Sequence, residues 1–113
     1  MERNPIAADA GNLFDAIPDK LDEELFTRLA QGQAFRMERI VSRGQSSPKS
    51  GWYDQEEHEW VIVLKGEARL AFPDGPEKHL LPGDYISLPA GTKHRVSWTS
   101  PDTETVWLAI YYR

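Results

Sequence analysis

The chain contains no cysteine, so any chemistry falls to His, Glu, Asp, Tyr and Gln. Two of these side chains are marked by the company they keep. In "EWVIVLKG", strand alternation places Glu59 on one face with Val61 and Val63, and Trp60, Ile62 and Leu64 on the other. In "HRVSW", the same alternation places His94 with Val96 and Trp98, opposite Lys93, Arg95 and Ser97. An ionisable group in apolar company faces an interior, where it is costly unless partnered. Glu59 and His94 can therefore pair as an acid–base couple or ligate a metal ion. Upstream of Glu59, "WYDQEEH" offers Tyr53, Asp54 and Gln55 as substrate-binding groups, and Gln55, or alternatively Asp54, also as a third metal ligand. Trp98 is a candidate pocket wall, because it shares the His94 face. His58 is adjacent to Glu59, so alternation turns it away from the site toward the rim. His79, in "KHLLPGD", reads as an edge or surface residue, and Asp84 in the same stretch as a turn residue bonding backbone amides. Arg36, Arg39 and Arg43 read as a solvated strand face, or as an anion site if they point inward.

These residues need short strands to hold them. From Ala34 onward, "AFRMERIVSR", "EWVIVLKG", "EARLAF", "HLL", "DYISL", "HRVSW" and "TVWLAIYY" read as strands. They are separated by turn-rich "PDGPE", "PGD", "PAGTK" and "TSPDTE", and no helical pattern interrupts them. That pattern predicts an all-β sandwich or barrel and excludes parallel βαβ units. The segment "GQSSPKSG" is a loop by composition and a candidate lid. Before the barrel, residues 1–33 read as an extension carrying a short helix. Asp19 would cap it, Leu21, Leu25 and Leu29 would form its apolar stripe, and Gly32 would end it. Residues 34–113 form the barrel domain.

The bulk properties narrow the partners. One compact domain accounts for 113 residues, and a chain of this length can bury a core without staples. The net charge of −5 argues against nucleic acid and anionic membranes, which call for a basic patch. No segment has the apolar length of a signal peptide or a bilayer span, and a cytoplasmic location is the expectation.

"GDYISLPAGTKHRVSW" places Gly83, Pro89, Gly91 and His94 at the spacings of the second motif of the cupins, and the chain resembles the small single-domain members of that family. Trp98 stands at that motif's Asn position. The first cupin motif is matched by Glu59 and Gly66 but not in its His-x-His half. Those two positions fall on Tyr53 and Gln55, or on Trp52 and Asp54, depending on the spacer. Over "RIVSRG", "WYDQ", "LKGEA" and "TVWLA" the chain is also similar to a subgroup of bacterial cupin-domain proteins. The resemblance implies a double-stranded β-helix, a jelly-roll barrel, over residues 34–113. It also implies one divalent metal ion with His94 and Glu59 among its ligands. Three functions follow as expectations. One is an enzyme acting on a small polar metabolite through Glu59 and His94. A second is a ligand-binding or sensor module without chemistry. The third is a structural homodimer built on the Trp60, Ile62 and Leu64 face, with a vestigial metal-free pocket.

Overall fold

A computed structural model describes residues 10–47 and 51–113, and Pro48–Ser50 of the candidate lid lie outside them. Eight strands run in chain order: β1 Leu25–Gln31, β2 Phe35–Ser42, β3 His58–Lys65, β4 Ala68–Phe72, β5 Gly75–Leu80, β6 Tyr85–Leu88, β7 Arg95–Thr99 and β8 Thr105–Tyr112. They form a five-stranded sheet, β1-β2-β8-β3-β6, and a three-stranded sheet, β5-β4-β7. Every pairing is antiparallel. All seven strands expected from the sequence are present, in an all-β barrel of two facing sheets.

Alternation governs the central strands. On β3, Glu59, Val61 and Val63 are buried while Trp60, Ile62 and Leu64 are half-buried on the other face. The core between the sheets joins Ile40, Val61, Val63, Trp107, Ala109 and Tyr111 of the larger sheet to Ala68, Leu70 and Leu80 of the smaller. β8 lies between β2 and β3 and is buried along most of its length, which suits its unbroken apolar sequence.

Among the described residues there is no helix, and the expected helical segment instead forms β1. Its leucines do recur every four residues, but so narrow a stripe holds a helix only weakly, and Leu29 is exposed. The open edge of β2 offers backbone partners instead, and β1 takes them from Leu25 opposite Val41 to Gln31 opposite Arg36. Gly32 does mark a chain reversal, though of another kind. Its N–H donates to the Phe35 carbonyl at 2.9 Å in the β1–β2 turn, with the Phe35 ring packed where a Cβ would sit.

The segment before β1 covers the outer face of β2. There Arg39 is buried, and its guanidinium donates to the carbonyls of Leu13 (3.3 Å) and Asp15 (2.6 Å) and to Thr27 Oγ1 (3.3 Å). Arg39 is thus a structural clasp, neither solvated nor an anion site, while Arg43 pairs with Glu104. At the β3–β4 turn, Gly66 has φ of +88°, and a Cβ there would meet Thr105 Oγ1 and the Glu104 carbonyl at about the same 2.5–2.6 Å. Only glycine fits that turn without displacement.

Candidate functional site

A cavity of about 150 Å³ lies between the two sheets. Strand register sets its two ends. At one end Glu59 is opposite Tyr111 on β8 and Leu88 on β6. Trp107 stands four residues earlier on β8, about 13 Å of strand away, and is opposite Ile40 of β2. Val61, Leu70 and Val96 line the cavity as well. The loop before β3 reaches the first end through a backbone bridge, in which Tyr53 N–H donates to the His94 carbonyl at 2.8 Å and His94 N–H returns to the Tyr53 carbonyl at 3.2 Å.

Glu59 and His94 meet as the alternation predicts. Both line the cavity, with 8% and 6% of their surface exposed, and Glu59 Oε1 lies 3.5 Å from His94 Nε2. The other ring nitrogen, Nδ1, donates to the Thr92 carbonyl at 2.8 Å. That bond fixes the tautomer, because a carbonyl can only accept. A neutral ring would then turn the Nε2 lone pair toward the carboxylate, whereas a protonated ring donates to it. Burial opposes charge on the ring, but the hydrogen bond to Glu59, the Thr92 carbonyl and the Glu59 charge outweigh it. The imidazole pKa is raised above its ordinary value.

Tyr111 adds a second polar group beside Glu59. Burial, then the negative charges of Glu59 and Glu38, push its phenol well above the usual range, against the opposing charge of Arg36. The Arg36 guanidinium lies 4.1 Å over the Tyr111 ring and is itself paired with Glu57. Tyr111 therefore stays a protonated donor. Its position on the Glu59 face follows from alternation along β8, a signal the sequence does carry.

Of the other expected site residues, Tyr53 and Gln55 line the cavity. Gln55 Oε1 is buried and has no hydrogen-bond partner among the described residues. Asp54 is exposed and does not reach the cavity. Trp98 does not either. Leu70 pairs with Val96 and Arg69 with Trp98, so Ser97 is an extra residue on β7. This bulge reverses the alternation beyond Val96 and turns Trp98 outward, where Arg69 lies 5.4 Å over its ring. His58 stays off the site, as its parity requires. Its Nδ1 accepts from Ala90 N–H at 2.9 Å, tying the start of β3 to the turn that carries His94. In the same turn Gly91, at φ +81°, donates its N–H to the Gln55 carbonyl at 2.8 Å. His79 pairs with Glu67 on the surface, and Asp84 Oδ2 accepts from Leu81 N–H within its turn at 2.9 Å.

A residue without any motif around it in the sequence lines the far end of the cavity. Glu24 precedes β1 and accepts from Ser42 Oγ–H at 2.9 Å, while Ser42 Oγ accepts from Trp107 Nε1–H at 3.2 Å. Burial, partly offset by the Ser42 bond, raises the Glu24 pKa above its ordinary value. Phe26, two residues on and on the same side of the strand, lines the cavity beside it.

The donor set does not fit a firmly held metal. Among the described residues no three His, Cys, Asp or Glu side chains gather in one place. Among the same residues, Glu59 and His94 are the only ionisable pair at their end besides two tyrosines, and the third candidate, Gln55, supplies a neutral amide oxygen.

The comparisons with known proteins agree with this architecture. A protein provisionally named mannose-6-phosphate isomerase, from Ralstonia eutropha JMP134, is 38% identical, with a TM-score of 0.90 over 93% of this chain and 98% of that one. The TT1209 protein from Thermus thermophilus is 18% identical, with a TM-score of 0.75 over 93% and 97% of the two chains. The polyketide cyclase RemF from Streptomyces resistomycificus is 24% identical, with a TM-score of 0.68 over 80% and 66%. No curated protein matches the chain. The Cupin domain family matches residues 37–111, two thirds of the sequence, and the chain belongs to the cupins.

Proposed function

We propose that the barrel binds a small molecule in the interior cavity and that Glu59 and His94 move a proton on it. The observation that carries this reading is the buried carboxylate–imidazole contact of 3.5 Å at one end of the interior cavity. A protonated His94 is the acid, Glu59 the base, and Tyr111 a fixed donor to an oxygen on the ligand. The unpartnered Gln55 Oε1 calls for an N–H or O–H on the ligand at this end. The name of the R. eutropha relative supports the same class of step, since an aldose–ketose isomerisation relocates protons between carbon and oxygen.

A metal-dependent reaction would need Glu59, His94 and Gln55 as its ligand set. That set is too poor for tight binding, so the proton-transfer role is assigned to the side chains alone. Solvent hydrogen exchange into a bound ligand, followed by NMR in heavy water, tests the proposal. Glu59→Gln and His94→Ala are each expected to slow exchange by about 10²–10⁴-fold, the usual range for a positioned acid or base. Exchange that persists at the wild-type rate in both variants rules the couple out as the chemistry. If ligands bind and protect the fold against heat but never exchange, the barrel is a binding module.

Self-association is a separate proposal, supported by the half-buried Trp60, Ile62 and Leu64 face and by the exposed Tyr85 stacked on Trp60 at 5.4 Å. A sedimentation mass of a single chain at micromolar concentration would remove it.

A further inference from the structure

We infer that the cavity end formed by Glu24, Phe26 and Trp107 recognises a protonated amine, so that the ligand is a small apolar body carrying an ammonium group. The inference rests on the cavity being a ligand site, as proposed above, and names the class of ligand.

Charge is the first ground. Among the described residues no arginine or lysine lines the cavity, while two carboxylates do. Arg39 has the parity opposite to Ile40 and turns away into its carbonyl clasp. An anionic ligand, a phosphorylated sugar included, would find no cation at this end to offset its loss of hydration, since His94 lies at the other end and is already paired with Glu59. A cation would find Glu24, whose side-chain partner among the described residues is the Ser42 hydroxyl.

Shape and surface are the second. Phe26 and Trp107 line the cavity at the Glu24 end, and aromatic faces beside a carboxylate suit an ammonium group. The Trp107 indole is held by its bond to Ser42, the same hydroxyl that donates to Glu24, so one small network orients both the ring and the carboxyl. Phe26 is 56% exposed, which places this end at an opening. The raised Glu24 pKa supports the assignment, because a half-buried carboxylate short of partners is relieved by an incoming positive charge. A cavity of about 150 Å³ is of the size that admits a single six-membered ring.

The test compares three ligands of one shape: benzylamine, benzyl alcohol and benzoate. Their dissociation constants are measured by NMR titration of the full chain at about pH 8, where an alkyl ammonium keeps its proton. Benzylamine is expected to bind about tenfold more tightly than benzyl alcohol, as befits one charge-assisted contact, and benzoate more weakly than either. Glu24→Gln retains an acceptor for Ser42 and should bring benzylamine down to the alcohol while leaving the alcohol unchanged. Should that variant fail to fold, Phe26→Leu tests the aromatic half and is expected to narrow the amine preference. Equal binding of all three, or an amine preference that survives both substitutions, overturns the inference and leaves the pocket reading intact. Failure of all three to bind overturns both.

Discussion

The His94 imidazole is held by two groups, Glu59 and the Thr92 carbonyl, and their balance against burial predicts how it titrates. Its folded-state pKa lies above the unfolded value of about 6.5 because Glu59 and the Thr92 carbonyl outweigh burial. The contribution to stability is therefore fully present below that unfolded value and fades as pH rises through the folded one. Glu59→Gln removes the carboxylate and leaves burial in command, so the ring should titrate lower than in the wild type. NMR of the imidazole carbons across pH 5 to about 9 reads this directly, and an unchanged midpoint in Glu59→Gln would show that the 3.5 Å contact does not hold the proton. The donor set also predicts metal content. Protein purified without chelator or metal-affinity tag should carry well under one equivalent of any transition ion by elemental mass spectrometry, with no change in His94→Ala. Near-stoichiometric metal that falls in the variant would reverse that reading. Both residues were legible in the sequence because parity along a regular strand is a reliable guide to direction. Trp98 was not, since one extra residue at Ser97 reverses parity and leaves no mark in composition. Asp54 and Gln55 lie in a loop, where alternation does not apply, and only Gln55 reaches the cavity.

At the scale of elements, the seven strands after Ala34 were legible because Pro- and Gly-rich turns bound them, and turn chemistry is local. β1 was not. Leucine spacing is local as well, but the edge of β2 that receives β1 is defined only once β8, far along the chain, has taken the other side of β2. Missing β1 meant missing Glu24 and Phe26, the half of the site it brings. The tightest local constraint lies in the β3–β4 turn. Alanine at Gly66 would meet positive φ and two backbone atoms, the Glu104 carbonyl oxygen and Thr105 Cα, each at 2.6 Å. Gly66→Ala should cost at least about 2 kcal/mol, combining left-handed strain with displacement of the Thr105 segment. Gly75→Ala, with open space around its Cβ and no positive φ, is the matched control and should stay within about 0.5 kcal/mol. Equal urea midpoints for the two would mean that the turn relaxes freely.

On the scale of the whole molecule, the division expected near residue 33 falls in the β1–β2 turn, so a cut there would separate paired strands. A chain reduced to residues 34–113 would keep every strand of both cupin motifs. It would lose the row of backbone hydrogen bonds along β2, the carbonyls that hold the buried Arg39 guanidinium, and the Glu24 partner of Ser42. An arginine left buried without acceptors is costly, and water can repay it only by opening the outer face of β2. Residues Ile40–Ser42, buried in the intact chain, would then lie at an exposed edge next to the core. A loss of about 2–3 kcal/mol corresponds to a Tm lower by roughly 10 °C or more in a domain of this size. The truncated chain is also expected to lose the amine preference, because Glu24 and Phe26 go with the deleted segment, while the Glu59–His94 contact is built wholly from what remains. Thermal melting and the benzylamine titration together read both effects. Retention of the full Tm would show that residues 10–33 are an appendage. Loss of stability with an undiminished amine preference would move the recognition site to the other end of the cavity.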